Sequence, residues 1–373
     1  MKKVMKIFKV ENNRLIKKFI DLPYAIYKNN PLWVPPLKSM IKRVIKKGST
    51  VMNAGREFYL VFDNEKPVAR MGIYINKNVL SHGNNVGFFT LFESFDDQTA
   101  VNLMVEKADS WFAKKDIGAY IGPESPTNGD DYKGMLIKNF EDPPYIYLNY
   151  NPPYYRKLIE NAGFKTKTHL ACFKYDLRGE FPEKKVRLIN KAMKRYKIRV
   201  VSPIAKDLNK IARDMRQVME NSIPDEWVGV RPPTQEQMLG IVKEMKRFAD
   251  PELVAIAYKE DQPIGFSVAI PNYNPLFEKM KGNLLPFGWL IFLAGKKKIK
   301  RLRSITVFVD KAFQGKGVSF AMHYHIGRNA KNKGYIEAEG GIVGFENRKS
   351  FQDAIGVGGE LYKEYMTFIK RIY

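Results

Sequence analysis

Apolar positions along the chain keep two periods, and the elements they predict come in much the same order twice. In the first half, a helix is predicted over residues 14–30. The runs at 58–62 (FYLVF) and 68–74 (VARMGIY) flank the polar Asp63-Asn64-Glu65-Lys66, which predicts a β-hairpin. A strand follows over 87–92. A helix is then predicted over 98–114, with Val101, Met104, Val105, Ala108 and Phe112 on one face. A short buried strand at 119–123 comes next. In the second half, a basic connecting helix is predicted over 183–196 and two further helices over 206–220 and 234–248, the last with Thr234 as its cap. A hairpin at 253–258 and 264–270, a β-branched strand at 305–309, a helix from Phe320 and a strand at 335–343 complete the pattern.

Internal comparison supports a duplication. Asn151 stands twelve residues before Gly163, and Asn347 twelve before Gly359, each pair followed by a strand-like tail. The strand at 89–92 matches 306–309, and residues 113–122 parallel 330–339. Two copies of one α/β unit follow, with a boundary near Phe181-Pro182, hence domains 1–181 and 182–373. The copies differ between strand and helix. The second has Gln314-Gly315-Lys316-Gly317, whereas the first has Asp97-Gln98-Thr99-Ala100, preceded by Asp96. Two carboxylates there would repel a phosphate, so one anion site per chain is expected.

Residues 304–332 therefore carry the clearest chemistry. A strand, a glycine turn and a helix in that order form an anion site, because the first N–H groups of a helix lack partners and point into the turn. Lys316 adds a formal charge. The P-loop pattern fails, since Asp310 stands where its first glycine belongs, and the dinucleotide fingerprint fails at Phe320. Tyr335, Glu337 and Glu339 alternate onto one face of the next strand, and the two carboxylates are the candidate general bases. His323 and His325 are two apart on a helix and face different ways, which disfavours a metal pair; no metal is expected.

Composition narrows the setting. The 373 residues exceed one ordinary core, and 45% hydrophobic with 13% aromatic content requires packed structure. A single cysteine, Cys172, excludes a disulfide within the chain and fits a reducing compartment. Lys6, Lys9 and Glu11 interrupt any signal-peptide core, so a cytoplasmic location is expected. The net charge of +24 favours anionic partners: a nucleotide cofactor, nucleic acid or an anionic membrane. No basic-aromatic RNA-binding motif is present, so nucleic acid is the least favoured of these.

Two stretches keep alternative readings. Residues 122–155, rich in Gly, Pro, Asn and Tyr, form either a wall of a substrate pocket or a rigid covering loop. Residues 284–294 are nearly all apolar and run into the basic 296–303. They are too few to span a bilayer, and read either as buried core or as an interfacial patch (284–303) over a lipophilic substrate or against anionic headgroups.

The Gln314, Gly317, Ser319 spacing resembles the acyl-CoA loop of the GNAT superfamily of N-acyltransferases, Q/R-x-x-G-x-G/A, with Ser319 a small-residue departure. The whole chain resembles bacterial proteins built from tandem GNAT-like domains. That resemblance is carried by Gly122-Pro123, Gly134-Met135-Leu136, Pro143-Pro144, Tyr150-Asn151-Pro152, Tyr154-Tyr155 and Gly163-Phe164, and by Gln314, Gly317, Ser319, Glu339, Asn347-Arg348 and Gly359. It implies an α/β chain of two GNAT-like acyl-CoA N-acyltransferase domains, with mixed central sheets flanked by helices. It further implies acetyl-CoA or another acyl-CoA as co-substrate, acetyl-CoA first, and direct transfer of the acyl group to a small-molecule or lipophilic amine.

In that scheme the strand bearing Val307, Phe308 and Val309 pairs with the pantetheine arm. The N–H groups of Gly315, Lys316, Gly317, Val318, Ser319 and Phe320 hold the pyrophosphate, and Asn347 lies near the thioester. Many members place a Tyr on the helix after this Asn, to protonate the leaving thiolate. Ala354 stands there instead, leaving Tyr362 or Tyr365 as replacements. An aminoacyl-tRNA-dependent transferase and a non-catalytic CoA- or partner-binding protein remain as alternatives.

Overall fold

The computed structural model describes residues 5–80, 85–127, 129–203, 207–223, 232–246 and 248–372. Its strands are β1 (Met5–Lys9), β2 (Arg56–Asp63), β3 (Lys66–Tyr74), β4 (Val86–Ser94), β5 (Ala119–Gly122), β6 (Met135–Lys138) and β7 (Lys165–Asp176), then β8 (Ile198–Val201), β9 (Val254–Lys259), β10 (Gln262–Pro271), β11 (Arg301–Val309), β12 (Glu337–Gly344) and β13 (Glu360–Arg371). Two compact units result: Met1–Leu170 with Asn274–Lys296 and Lys363–Tyr373, and Ala171–Tyr273 with Lys297–Tyr362. Phe181-Pro182 lies inside the second.

In the first unit, β1 to β4 run antiparallel in chain order and β5 lies parallel to β4. The run at 58–62 is apolar throughout because both faces of the sheet are covered. Tyr59 and Val61 meet the helix Gln98–Ala113 through Val101, Met104, Ala108 and Phe112. Phe58, Leu60 and Phe62 meet Phe19, Leu22, Ile41 and Val44 from the helices Asn13–Ile26 and Lys38–Lys47.

The second unit repeats the arrangement. β8 to β11 are antiparallel neighbours and β12 is parallel to β11. The helix Val318–Asn332 lays Val318, Met322, Ile326 and Ala330 against Ala255, Ala257 and Ile264. The helix Gln235–Met245 begins with a capping box, in which Thr234 and Gln237 each accept from the other's backbone N–H. Lys206, expected to open the preceding helix, lies outside the described residues; that helix is Leu208–Ser222.

The last strands of the two repeats change places. β13, the twelve-residue strand that ends the second repeat, pairs with β5 of the first unit, Phe368 opposite Gly122. β7, equally long, ends the first repeat, and from Ala171 onward it belongs to the second unit, where it neighbours β12.

The main departure from the sequence reading is the length of β11. It starts at Arg301 rather than residue 305, because Leu302 and Arg303 are buried at 2% exposure in the ladder to β12. A buried arginine disguised that part of the strand as a basic loop. β12 correspondingly starts at Glu337, while the N–H of Tyr335 still bonds to Ala330 at the end of the preceding helix.

Gly122 tests the β4–β5 contact: a Cβ there would fall 2.4 Å from the Phe89 carbonyl oxygen. Gly122→Ala is expected to cost about 1–3 kcal/mol, read as a lower urea midpoint at unchanged m-value.

Candidate functional site

Both units contain a pair of parallel strands whose ladder stops early. In the first, β4 and β5 pair from Val86–Ala119 to Phe88–Ile121, and β4 continues to Ser94. In the second, β11 and β12 pair from Arg301–Glu337 to Ser304–Gly340, and β11 continues to Val309. Beyond those points a strand edge with N–H and C=O groups is available to something other than its neighbour.

The units treat this edge differently. In the first unit the protein fills it. The Glu124 N–H donates to the Phe89 carbonyl at 2.8 Å, the Ser94 N–H donates to the Tyr155 hydroxyl at 2.8 Å, and the Tyr154 hydroxyl donates to the Ser94 carbonyl at 2.9 Å. The helix that follows is closed as well: the Asp97 carboxylate accepts from the Thr99 and Ala100 N–H groups at 3.0 and 3.2 Å. This is a self-supplied anion at a helix N-terminus.

In the second unit the corresponding helix starts at Gly317, in left-handed conformation (φ 81°), with no side-chain cap. Gly315 also has positive φ (73°), and nothing lies within 4 Å of where its Cβ would be. The N–H groups of Val318, Ser319 and Phe320 have no acceptor within the helix. Lys316 holds its ammonium 5.0 Å from the Phe313 ring and 5.6 Å from that of Tyr196. Val307 is 41% exposed on the part of β11 that pairs with β10 but no longer with β12. A helix start without a side-chain cap has backbone N–H groups that can turn to an anion.

Other expected ligands are already engaged. Gln314 donates its amide to the Val309 carbonyl at 3.2 Å, which ties the loop back to the strand. The Ser319 hydroxyl donates to Asp353 at 2.9 Å; burial raises the Asp353 pKa, against the pull of that hydroxyl. Asn347 caps the helix Arg348–Gly356, accepting from the Ser350 N–H at 3.2 Å. Phe320 packs where a Cβ on Gly356 would sit, 2.6 Å away.

The two carboxylates occupy different environments. Glu339 is fully buried, with Arg303 Nε 2.8 Å away, and Arg303 also donates to the Gly341 carbonyl at 3.0 Å. Glu337 keeps 17% of its side chain exposed and pairs with Lys174 at 2.9 Å and Arg301 at 3.1 Å. Lys174 in turn lies 5.0 Å from the Tyr362 ring, so Glu337, Lys174 and Tyr362 form one cluster. Ala354 is buried among Phe173, Val343 and Phe351, so the helix position that could have carried an acid faces core.

Tyr175 was not singled out by sequence. Its ring closes over Gly340 and Gly359, and burial, with Glu339 nearby, raises its phenol pKa. Only the alternation of the β7 tail (HLACFKYD) could have marked it. His325 accepts or donates at Ser202 and Asn329, 2.9 and 3.2 Å away. Among the described residues no group of three or more His, Cys, Asp or Glu is placed to hold a metal.

The first unit has a cavity of about 60 Å³, and residues 122–155 supply much of its wall, including Pro123, Tyr132 and Tyr150. Inside it Glu93 accepts from the Tyr27 and Tyr155 hydroxyls at 2.7 Å each. Arg70, 3% exposed, donates to the Phe19 carbonyl at 2.6 Å and stands 3.7 Å from Glu93. Burial raises the Glu93 pKa and the guanidinium opposes it.

Comparison with known proteins places this architecture. No family model matches the sequence. A bacterial ceramide synthase from Caulobacter vibrioides is 24% identical over 99% of this chain and 98% of its own length. Among solved structures, a tandem GNAT protein from the clavulanic acid biosynthesis pathway aligns over 99% of both chains with TM-score 0.57 at 8% identity. The GCN5-related glucosamine N-acetyltransferase region of a fungal multi-domain β-N-acetylglucosaminidase aligns over 99% of this chain with TM-score 0.61 at 12% identity; this chain spans only 38% of that one. The fold is therefore that of the GNAT acyltransferases in tandem form.

Two measurements separate support from chemistry here. Glu339→Ala strands a buried guanidinium and is expected to cost about 3–5 kcal/mol of stability, whereas Glu337→Gln should cost under about 1 kcal/mol, both by denaturant titration. His323, on the helix behind the loop, has its pKa lowered to about 4 by burial. The folded state then binds fewer protons than the unfolded one, so His323's contribution is full above its ordinary value of about 6.5 and is lost as pH falls towards 4. His323→Gln should flatten the stability–pH curve across that window.

Proposed function

We propose that this chain, with its tandem GNAT acyltransferase fold, moves an acyl group from acyl-CoA to the amine of a lipophilic acceptor. One observation carries the reading: no side chain caps the helix start at Gly317, whereas its counterpart is capped by Asp97. The pyrophosphate takes the N–H groups of residues 315–320, and the pantetheine arm lies along Val307, Phe308 and Val309. The amine nitrogen attacks the thioester carbon, a C–N bond forms, and the C–S bond breaks to release CoA thiolate. A backbone N–H of the strand polarises the carbonyl as its oxygen gains charge.

Glu337, the more accessible carboxylate, takes the proton from the attacking ammonium, and Glu339 fixes Arg303. Tyr362 or Tyr175 protonates the departing thiolate and regains its proton from the nitrogen as it becomes the amide. The name of the Caulobacter relative favours a long-chain amino alcohol as acceptor, and an acyl donor longer than acetyl. The buried Ala354 favours a second reading, in which the protein binds acyl-CoA without turnover.

Calorimetry on the purified chain is expected to give one acyl-CoA per chain. Gly317→Glu should weaken binding at least about tenfold by placing a carboxylate at the helix start, while Asp97→Asn leaves it unchanged. Two molecules per chain, or no binding of acetyl- or long-chain acyl-CoA while tRNA shifts the melting temperature, would overturn the reading. Amide formation from a panel of long-chain amines separates catalysis from binding alone.

A further inference from the structure

The segment before β11 has an exposure pattern that the acyl-transfer reading does not require. The helix Gly288–Gly295 buries only Gly288 and Phe292, and a Cβ on Gly295 would press on Leu276 at 2.4 Å. Its other apolar side chains face outward. Leu285 is 77% exposed, Phe287 70%, Leu293 51%, Leu290 47%, Trp289 46% and Ile291 37%. Of the fourteen large apolar side chains exposed among the described residues, six fall within 285–293. Scattered exposed apolar residues are ordinary, but a contiguous patch marks an interaction surface.

The surroundings select the partner. Lys279 and Lys281 precede the patch and Lys296, Lys297, Lys298 and Lys300 follow it, all exposed, against one acid, Glu278, between residues 274 and 300. The indole N–H of Trp289 donates to the Pro286 carbonyl at 2.9 Å, so the ring can enter an apolar phase without carrying an unpaired donor. Eight residues give about 12 Å of helix, well short of a bilayer core. No helix among the described residues is long and apolar enough to cross a membrane.

We infer that residues 284–298 dock this protein on an anionic bilayer surface. Leu285, Phe287, Leu290 and Leu293 enter the acyl boundary, and the lysines lie at the headgroups. A second copy of the chain is the competing occupant of an apolar face. A lysine-rimmed patch meeting itself would oppose like charges, which disfavours it.

Co-sedimentation of the full chain with vesicles tests this without reference to acyl transfer. Vesicles of phosphatidylglycerol and phosphatidylcholine should carry the protein down at low salt, pure phosphatidylcholine should carry much less, and added salt should release it. Trp289 emission should shift to the blue on binding, and Trp289→Phe should remove that shift. Phe287→Ser with Leu290→Ser, both at exposed positions, should lower partitioning at least about tenfold. Charge reversal at Lys296, Lys297 and Lys298 should do the same and abolish the salt dependence. CoA calorimetry on each variant checks that it is folded, and failure of CoA binding in the wild type would leave the vesicle result intact. The inference is overturned by absence of binding to anionic vesicles at low salt, by binding that survives the double substitution, or by a dimer that the double substitution dissociates.

Discussion

A helix start presents N–H groups that something must satisfy, and the two units meet that requirement in opposite ways. In the first, a carboxylate, Asp97, is bonded to those N–H groups, and two tyrosine hydroxyls lie on the strand edge beside it. In the second, the same place holds Gly317 and a strand edge whose ladder has stopped at Ser304. The surrounding features follow from this asymmetry. Gln314 anchors the loop to β11, Lys316 lies against aromatic faces, and Ser319 is turned aside to Asp353, so no side chain caps the first backbone N–H groups of the helix.

Buried charge is the second constraint, and each unit contains an arginine–glutamate pair: Arg70 with Glu93, and Arg303 with Glu339. Desolvating both partners is costly, so such pairs persist where geometry supplies further bonds. Around Glu93 these are two tyrosine hydroxyls, and around Arg303 the Gly341 carbonyl. The second pair stands next to the point where β11 and β12 cease to pair, and it holds Glu339 as structure while Glu337 keeps some contact with solvent.

Much of the fold was legible in the sequence because both faces of each sheet are covered, which leaves an unbroken apolar run at 58–62, a largely apolar one at 264–270 and clear helical stripes such as 98–114. The basic helix Glu183–Tyr196 and the Thr234 cap were readable from local signals alone. The first residues of β11 were not, because Arg303 is a charge whose partner, Glu339, is thirty-six positions away and visible only in three dimensions. The glycine loop could be located by its spacing. The sequence could not reveal that Glu337 and Glu339 differ in burial, that Tyr175 covers Gly340, or that residues 285–293 face outward. Those depend on which long-range neighbour arrives at each face.

The change of places between β7 and β13 bears on how the protein is made. The first unit's sheet includes Phe368, Ile369, Lys370 and Arg371 opposite β5, so it is complete only once that stretch has been synthesised. Until then Tyr120 and Ile121 present an open strand edge, the kind of exposure that invites mispairing during synthesis. The late-arriving strand brings contacts across some 250 residues, such as Lys370 with Asp109, and pairings that distant are slow to form. Neither repeat can be born as a finished domain, and cutting the chain between them would leave each half holding the other's last strand.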